Sequence, residues 1–280
     1  MAKIGRYNLL QVIKEVDFGI YLDGGRDGEI LMPKRYVPED CKPGDRIDAF
    51  VYLDSEDRLI ATTEEPLAQV GDFAYLRVAS VNAIGAFLDW GLMKDLLVPF
   101  REQKMKMQEG NSYIVYVYLD EDTRRIVASA KINRFLDKEE PELEPNQLVD
   151  LLIYQKTELG FKAIINNRYQ GLLYDNEVFQ PLTTGQRTIG YVKQIRDDFK
   201  IDLVLQKPGF EVVEDIAETI LNRITEAGGF MAVTDKSPAE LIYDTFGISK
   251  KTYKKAIGDL YKRRLITLEK EGIRQVISKE

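Results

Sequence analysis

Histidine is absent from the 280 residues, and cysteine occurs once, at Cys41. The first absence excludes a Ser-His-Asp triad, a Cys-His dyad and histidine-ligated zinc; the second excludes an intrachain disulfide and a cysteine zinc cluster. No run approaches the roughly 20 apolar residues that a membrane-spanning helix requires. With 44% apolar and 30% charged residues and a mean hydropathy of −0.28, the composition is that of a soluble globular protein. The segment Met1-Ala2-Lys3-Ile4-Gly5-Arg6-Tyr7 has no continuous apolar core of the kind an export signal carries. A lone thiol fits a reducing compartment, so a cytoplasmic protein with no membrane partner is expected. Neither a Walker loop nor a Gly-x-Gly-x-x-Gly after a strand is present, and Gly24-Gly25 only makes a turn.

A chain of this length suggests two to four modules rather than one core. The net charge of −7 argues mildly against a general polyanion binder, but its distribution is uneven. Residues 1–66 carry 9 basic and 14 acidic side chains, 67–144 carry 10 and 13, 145–210 carry 8 and 7, and 211–280 carry 12 and 12. Within the last segment, residues 245–279 hold 10 Lys or Arg against 3 Asp or Glu. That local excess of positive charge is the first signal of a polyanion partner.

The same punctuation recurs at a fixed offset. Gly19 pairs with Gly85, Leu22-Asp23 with Leu88-Asp89, Pro33 with Pro99, Gly44 with Gly110, and Val51-Tyr52-Leu53-Asp54 with Val117-Tyr118-Leu119-Asp120, always 66 residues apart. A fainter third copy keeps Gly160 and Gly185 at an offset of 141 from Gly19 and Gly44. In the first copy Tyr7–Val16, Gly19–Asp23, Glu29–Met32, Arg46–Leu53 and Leu59–Thr63 read as strands. They are rich in β-branched, aromatic and alternating apolar residues and bounded by turn formers such as Lys-Pro-Gly-Asp. Five strands in about 65 residues, with a short irregular or helical connection after the third, suit a small OB-type barrel. The expected boundaries are 1–66, 67–133 and 146–210 for three all-β, five-stranded barrels. The acidic, proline-bearing segment 134–145 is read as a linker.

From residue 211 the apolar period changes from 2 to 3.6. Val213, Ile216, Ala217, Ile220, Leu221 and Ile224 form one helical stripe, ended by Gly228-Gly229. Ser237-Pro238 reads as an N-cap with proline at the first helical position, opening a helix to about Phe246. Gly247-Ile248-Ser249 gives a tight turn and a new N-cap. The third helix places Tyr253, Ala256, Ile257, Leu260 and Tyr261 on one face, opposite Lys250, Lys251, Lys254, Lys255, Lys262 and Arg263. Leu265–Leu268 and Ile273–Ile277 finish as a hairpin. Residues 211–280 therefore read as an α+β winged helix-turn-helix.

The copies resemble the S-one RNA-binding domain, the OB-fold module of the largest small-subunit ribosomal protein, through a Phe-Gly-x-aromatic turn and a final strand after an Asp-to-Arg loop. Three such modules followed by the segment Phe246-Gly247-Ile248-Ser249-Lys250-Lys251-Thr252-Tyr253-Lys254-Lys255-Ala256-Ile257-Gly258 are similar to the conserved virulence factor B family of bacterial RNA-binding proteins. The resemblance implies single-stranded RNA as partner and a role in post-transcriptional gene regulation, including virulence traits in some members.

Carried over by position, the RNA face comprises Phe18, Tyr21 and the loop pair Asp54 and Arg58 in the first copy, and Phe87 with Arg124 and Arg125 in the second, where Ile84 replaces the first aromatic. In the third copy it comprises Phe161, out of step with the pattern, and Tyr174, which stands where the module often has a histidine and where the other copies have Leu31 and Val98. Strand alternation turns Tyr21 and Phe87 outward if Ile20, Leu22, Ala86 and Leu88 are core; Trp90 follows in a turn as a stacking surface or a cap over the core. Lys162, Arg168, Lys193, Arg196 and Lys200 offer phosphate contacts in the third copy, and the six cations of the third helix do so on an element that helix-turn-helix proteins place in a groove. Loop carboxylates such as Asp54-Glu56-Asp57 and Asp120-Glu121-Asp122 read as turn formers, so no catalytic residue, metal ligand or cofactor is assigned. A monomeric, non-enzymatic RNA-binding protein is expected. DNA binding through the winged helix and a protein-binding scaffold remain the rival readings.

Overall fold

The computed structural model describes residues 1–178, 180–206 and 211–276, with backbone alone for 211–215. In the first copy the alternating segments form β1 (Arg6–Val16), β2 (Gly19–Asp23), β3 (Glu29–Pro33), β4 (Arg46–Leu53) and β5 (Leu59–Thr62). They close into a barrel in the order β1-β2-β3-β5-β4. The second barrel repeats the path with β6 (Phe73–Val81), β7 (Gly85–Asp89), β8 (Leu96–Pro99), β9 (Ser112–Leu119) and β10 (Ile126–Ser129). The third does so with β11 (Leu148–Thr157), β12 (Gly160–Ile165), β13 (Tyr169–Tyr174), β14 (Arg187–Ile195) and β15 (Ile201–Val204).

Closure rests on the same two devices in each copy. The first strand carries a bulge, at Val12/Lys14, Val78/Ser80 and Ile153/Gln155, and the extra residue bends the strand around the barrel. The third and fifth strands pair in parallel, through Leu31 and Ile60, Leu97 and Val127, and Leu172 and Asp202. A single 3-10 turn follows the third strand every time. The recurrent glycine has a steric cause: a Cβ at Gly19, Gly85 or Gly160 would lie 2.1, 2.3 or 2.0 Å from the carbonyl oxygen of Met32, Val98 or Leu173 on the neighbouring strand. Gly19→Ala is therefore expected to force the β2–β3 pair apart and cost about 1–3 kcal/mol, read as a lowered denaturation midpoint; an unchanged midpoint would refute the close approach.

The chain divides into two compact units, Met1–Leu136 and Asp137–Glu280. In the first unit the two barrels share apolar packing, because Phe50 and Tyr52 of β4 belong to the same buried cluster as Ala68, Trp90 and Leu96. Backbone hydrogen bonds from Leu67 N to Trp90 O and from Val70 N to Gly5 O, both 2.8 Å, fasten the joint.

In the second unit the winged helix consists of α1 (Glu211–Glu226), β16 (Phe230–Met231), α2 (Ala239–Phe246), α3 (Lys250–Lys262), β17 (Ile266–Leu268) and β18 (Ile273–Gln275), with sheet order β16-β18-β17. Ala217, Ile220, Ile224, Ile242, Tyr253, Ile257 and Leu260 meet in one buried cluster; the Val213 side chain and Ile277 lie outside the described residues. Gly247 ends α2 in the left-handed region, and the Ser249 hydroxyl accepts from Thr252 N to cap α3.

Two expectations are corrected here. Tyr261 is 54% exposed, because eight residues at 100° each carry it about 80° round from Tyr253, off the buried stripe. Ser237 does not cap α2: its Oγ accepts from Thr234 N at 2.9 Å, and Pro238 occupies the cap position.

The acidic segment read as a linker is fastened to the third barrel. Asp137 N donates to Arg168 O at 3.0 Å, the Asp137 and Glu142 carboxylates both accept from the Arg168 guanidinium, and Leu143 packs against the barrel core. Gln206 Nε2 donates to Gly247 O at 2.9 Å and Tyr243 bonds Gln180 at 3.1 Å, tying this barrel to the winged helix. No helix among the described residues is long and apolar enough to cross a membrane.

Candidate nucleic-acid interface

On the first barrel, alternation along β2 buries Ile20 and Leu22 and leaves Tyr21 half-exposed opposite Leu31 on β3. Phe18, in the β1–β2 turn, is 58% exposed and meets Tyr21 edge to face at 6.4 Å. Lys14 holds its ammonium 4.7 Å above the Tyr21 ring. Two aromatic faces on one outer surface suit an unpaired base, while the Lys14 ammonium is already held by Glu29 at 2.5 Å.

The loop pair is less available than its charge suggests. Arg58 donates two hydrogen bonds to one Asp54 oxygen, at 2.9 and 2.8 Å, and lies 3.0 Å from Glu56. Burial pulls the Asp54 carboxyl upward, but the backbone amide and guanidinium of Arg58 outweigh it and hold the group below the usual carboxylate range. A phosphate approaching Arg58 must compete with two carboxylates already there.

On the second barrel, Ala86 and Leu88 are buried, and Phe87 points outward opposite Leu97 beside the 57% exposed Ile84. Trp90 is no stacking surface: it is 3% exposed, packs edge to face on Phe50 at 5.8 Å and donates its indole N–H to Lys94 O at 2.6 Å. Arg125 reaches across to Asp57 of the first barrel, and Lys94 lies 3.7 Å from the same carboxylate. The Arg125 hydrogen bond chiefly depresses the Asp57 carboxyl. Arg124 is exposed and makes no ion pair among the described residues. Between the β4–β5 hairpin and the outer face of β7 and β8 lies a cavity of about 310 Å³.

Strand register reassigns the third barrel. Gln155 opposes Lys162 as Lys14 opposes Tyr21 and Ser80 opposes Phe87, so Lys162 occupies the outward aromatic position. Phe161 falls one place earlier, with the Lys156 ammonium 4.0 Å from its ring. Tyr174 pairs with Gly160 as Pro33 pairs with Gly19 and Pro99 with Gly85. The place opposite the outward residue belongs instead to Leu31, Leu97 and Leu172. Tyr174 instead accepts a hydrogen bond from Arg196.

Four of this barrel's five candidate cations are occupied. Arg168 serves Asp137 and Glu142; Lys193 lies 2.5 Å from Glu177, Arg196 2.9 Å from Asp202 and Lys200 2.6 Å from Asp198. Lys162 alone of the five makes no ion pair among the described residues.

The basic face of α3 is the contrast. Lys251, Lys255 and Lys262 are exposed and without a carboxylate partner among the described residues. Lys254 is 3.9 Å from Asp235, Lys250 reaches the Lys236 carbonyl at 3.3 Å, and Arg263 pairs with Asp259 at 3.3 Å. Among the described residues no cluster of three or more Asp, Glu or Cys is placed to hold a metal ion.

Phe18→Ala and Tyr21→Ala are expected to weaken nucleic-acid binding by about 1–3 kcal/mol for each base that loses its platform, with melting temperature nearly unchanged because neither ring is in the core. A large drop in melting temperature would return these rings to a structural role.

Comparison with known proteins accords with this layout. The S1 domain model matches residues 4–64 and again 70–131, and a CvfB-like winged helix domain model matches 218–274. The matched ranges leave out the third barrel. The Bacillus subtilis protein YitL is 26% identical over 92% of this chain and 89% of its own length. Conserved virulence factor B of Staphylococcus aureus strain N315 is 23% identical over 99% of this chain and 98% of its own. A solved Streptococcus pneumoniae multidomain protein with nucleic acid binding domains is 26% identical, covering 98% of each chain with a TM-score of 0.42.

Proposed function

The chain belongs to the conserved virulence factor B family, and on that premise we propose that it binds single-stranded RNA and regulates gene expression after transcription. The observation that carries this reading is the edge-to-face pair of exposed Phe18 and half-exposed Tyr21, with Lys14 over the Tyr21 ring, on the outer surface of an S1 barrel. Stacking needs a base freed from a duplex, which a single strand offers without unpairing. Phosphate contacts come mainly from the open lysines of α3, with Lys162 and Arg124 as further free cations, while Arg58, Arg125, Arg168, Lys193, Arg196 and Lys200 hold the protein's own carboxylates.

Titrating the full chain with labelled single-stranded RNA, single-stranded DNA and duplex DNA at several salt concentrations tests the reading. Single-stranded RNA should bind tightest at every salt concentration. Equal or tighter binding of duplex DNA at matched salt would overturn it and leave α3 in a DNA groove as the function.

A further inference from the structure

The cavity between the β4–β5 hairpin and the second barrel has the size and chemistry of a single-base site. Its volume of about 310 Å³ falls at the lower end of the ~300–1,000 Å³ range of small-ligand pockets. Phe87 and Leu97 supply a flat apolar wall from adjacent strands, and Leu53 and Ser55 of the first barrel face it. Asp95 also lines the cavity. It is the residue before β8, and since Leu96 is buried, alternation puts Asp95 and Leu97 on the same outer side as Phe87. The other carboxylate there, Asp57, is taken by Arg125 and Lys94. Asp95 is different: among the described residues it has no hydrogen bond or ion pair, although it is partly buried. An ionised carboxylate has only acceptors, so its ligand must bring donors.

We propose that this cavity takes one unstacked guanine base of a single strand, its ring against Phe87 and its N1–H and 2-amino group donating to the two oxygens of Asp95. Of the four RNA bases only guanine offers two adjacent donors on its pairing edge. Adenine and cytosine set one amino donor beside an acceptor nitrogen, and uracil flanks its single N–H with two carbonyl oxygens, so each would turn a lone pair toward the second carboxylate oxygen. The site rests on the single-strand reading above and adds a base preference to it. It is a composite of two barrels, because the first contributes the wall opposite Phe87.

Trp90 is the chain's only tryptophan and lines this cavity, which makes it the reporter. The full-length protein is titrated with guanosine, adenosine, cytidine and uridine 5′-monophosphates while Trp90 fluorescence is followed. Guanosine monophosphate should give a saturable change, with uridine monophosphate weaker by roughly tenfold or more, the discrimination a bidentate pair provides. Asp95→Asn, which turns one acceptor into a donor, should abolish the guanine preference without lowering the melting temperature. Equal responses to all four nucleotides, no change up to millimolar guanosine monophosphate, or a wild-type preference in Asp95→Asn would each overturn the proposal. Binding of guanine-free single-stranded RNA separates the two levels: if that binding persists while the guanine preference fails, only the pocket assignment falls, whereas loss of all single-strand binding removes the broader reading.

Discussion

Replacing Trp90 with alanine is expected to destabilise the unit formed by the first two barrels by about 3–5 kcal/mol, the cost of deleting a large buried aromatic. The indole is 3% exposed, packs on Phe50 of the first barrel and shares its buried cluster with Leu88, Leu92 and Leu96 of the second. Removing it leaves a cavity at the joint and strands the Lys94 carbonyl that accepts the indole N–H. That carbonyl fixes the backbone next to Lys94, whose ammonium reaches Asp54 O at 2.5 Å in the other barrel. Loss of the ring should therefore loosen the coupling between barrels as well as the core. Chemical denaturation followed by far-ultraviolet circular dichroism measures this, and Trp90→Phe should recover part of the loss. A midpoint within error of wild type would mean that the joint does not depend on this side chain.

The second large effect is expected from Lys250, Lys251, Lys254 and Lys255 replaced together by alanine. Each lysine that meets a phosphate of a single strand releases counterions on binding, and losing it flattens the dependence of log affinity on log salt by roughly 0.7. Lys251 and Lys255 should account for most of the change, since Lys254 is near Asp235 and Lys250 is drawn to the Lys236 carbonyl. Affinity at moderate salt should fall on the order of tenfold or more. The fold should survive, because these side chains lie opposite the buried Tyr253, Ile257 and Leu260, and the Ser249 cap is untouched. Phe18→Ala and Tyr21→Ala should lower affinity at nearly constant slope, which separates stacking from charge. Wild-type affinity and slope in the four-lysine variant would assign the basic helix to another partner.

The repeat and the barrels were legible because each copy obeys local rules. A glycine recurs where a neighbouring carbonyl leaves no room for Cβ, and apolar residues alternate wherever a strand has one face on the core. The outward placement of Tyr21 and Phe87 follows from that alternation alone. The winged helix was equally legible from its 3.6-residue period and from Ser249, a cap that needs only a neighbouring amide.

What escaped the sequence depends on partners distant along the chain. Arg125 and Asp57 are 68 residues apart and meet only because two barrels share a joint. Arg168 and Asp137 are 31 apart and meet only because the acidic segment folds onto the third barrel. A count of lysines and arginines cannot distinguish a free cation from one already holding a carboxylate, so the third barrel read as more basic than its surface is. Trp90 was ambiguous because part of its burial comes from Phe50 in the other barrel. Tyr174 lies 14 residues after Gly160, as Pro33 follows Gly19 and Pro99 follows Gly85, so the fixed offset itself sets it opposite the recurrent glycine; only its aromatic ring, in place of a proline, suggested the neighbouring position. Lys14 over Tyr21 and Lys156 over Phe161 went unnoticed for a related reason: each cation sits on the strand before its ring, not in a loop.

The most direct test of the central claim is ultraviolet crosslinking of single-stranded RNA to the full-length protein, with the attached peptides identified by mass spectrometry. Crosslinks should map to Phe18 and Tyr21 on the first barrel and to the residue 250–262 helix, and those on the barrel should disappear in the Phe18→Ala, Tyr21→Ala double variant. Crosslinks confined to the winged helix, or barrel crosslinks that persist without those rings, would contradict the account.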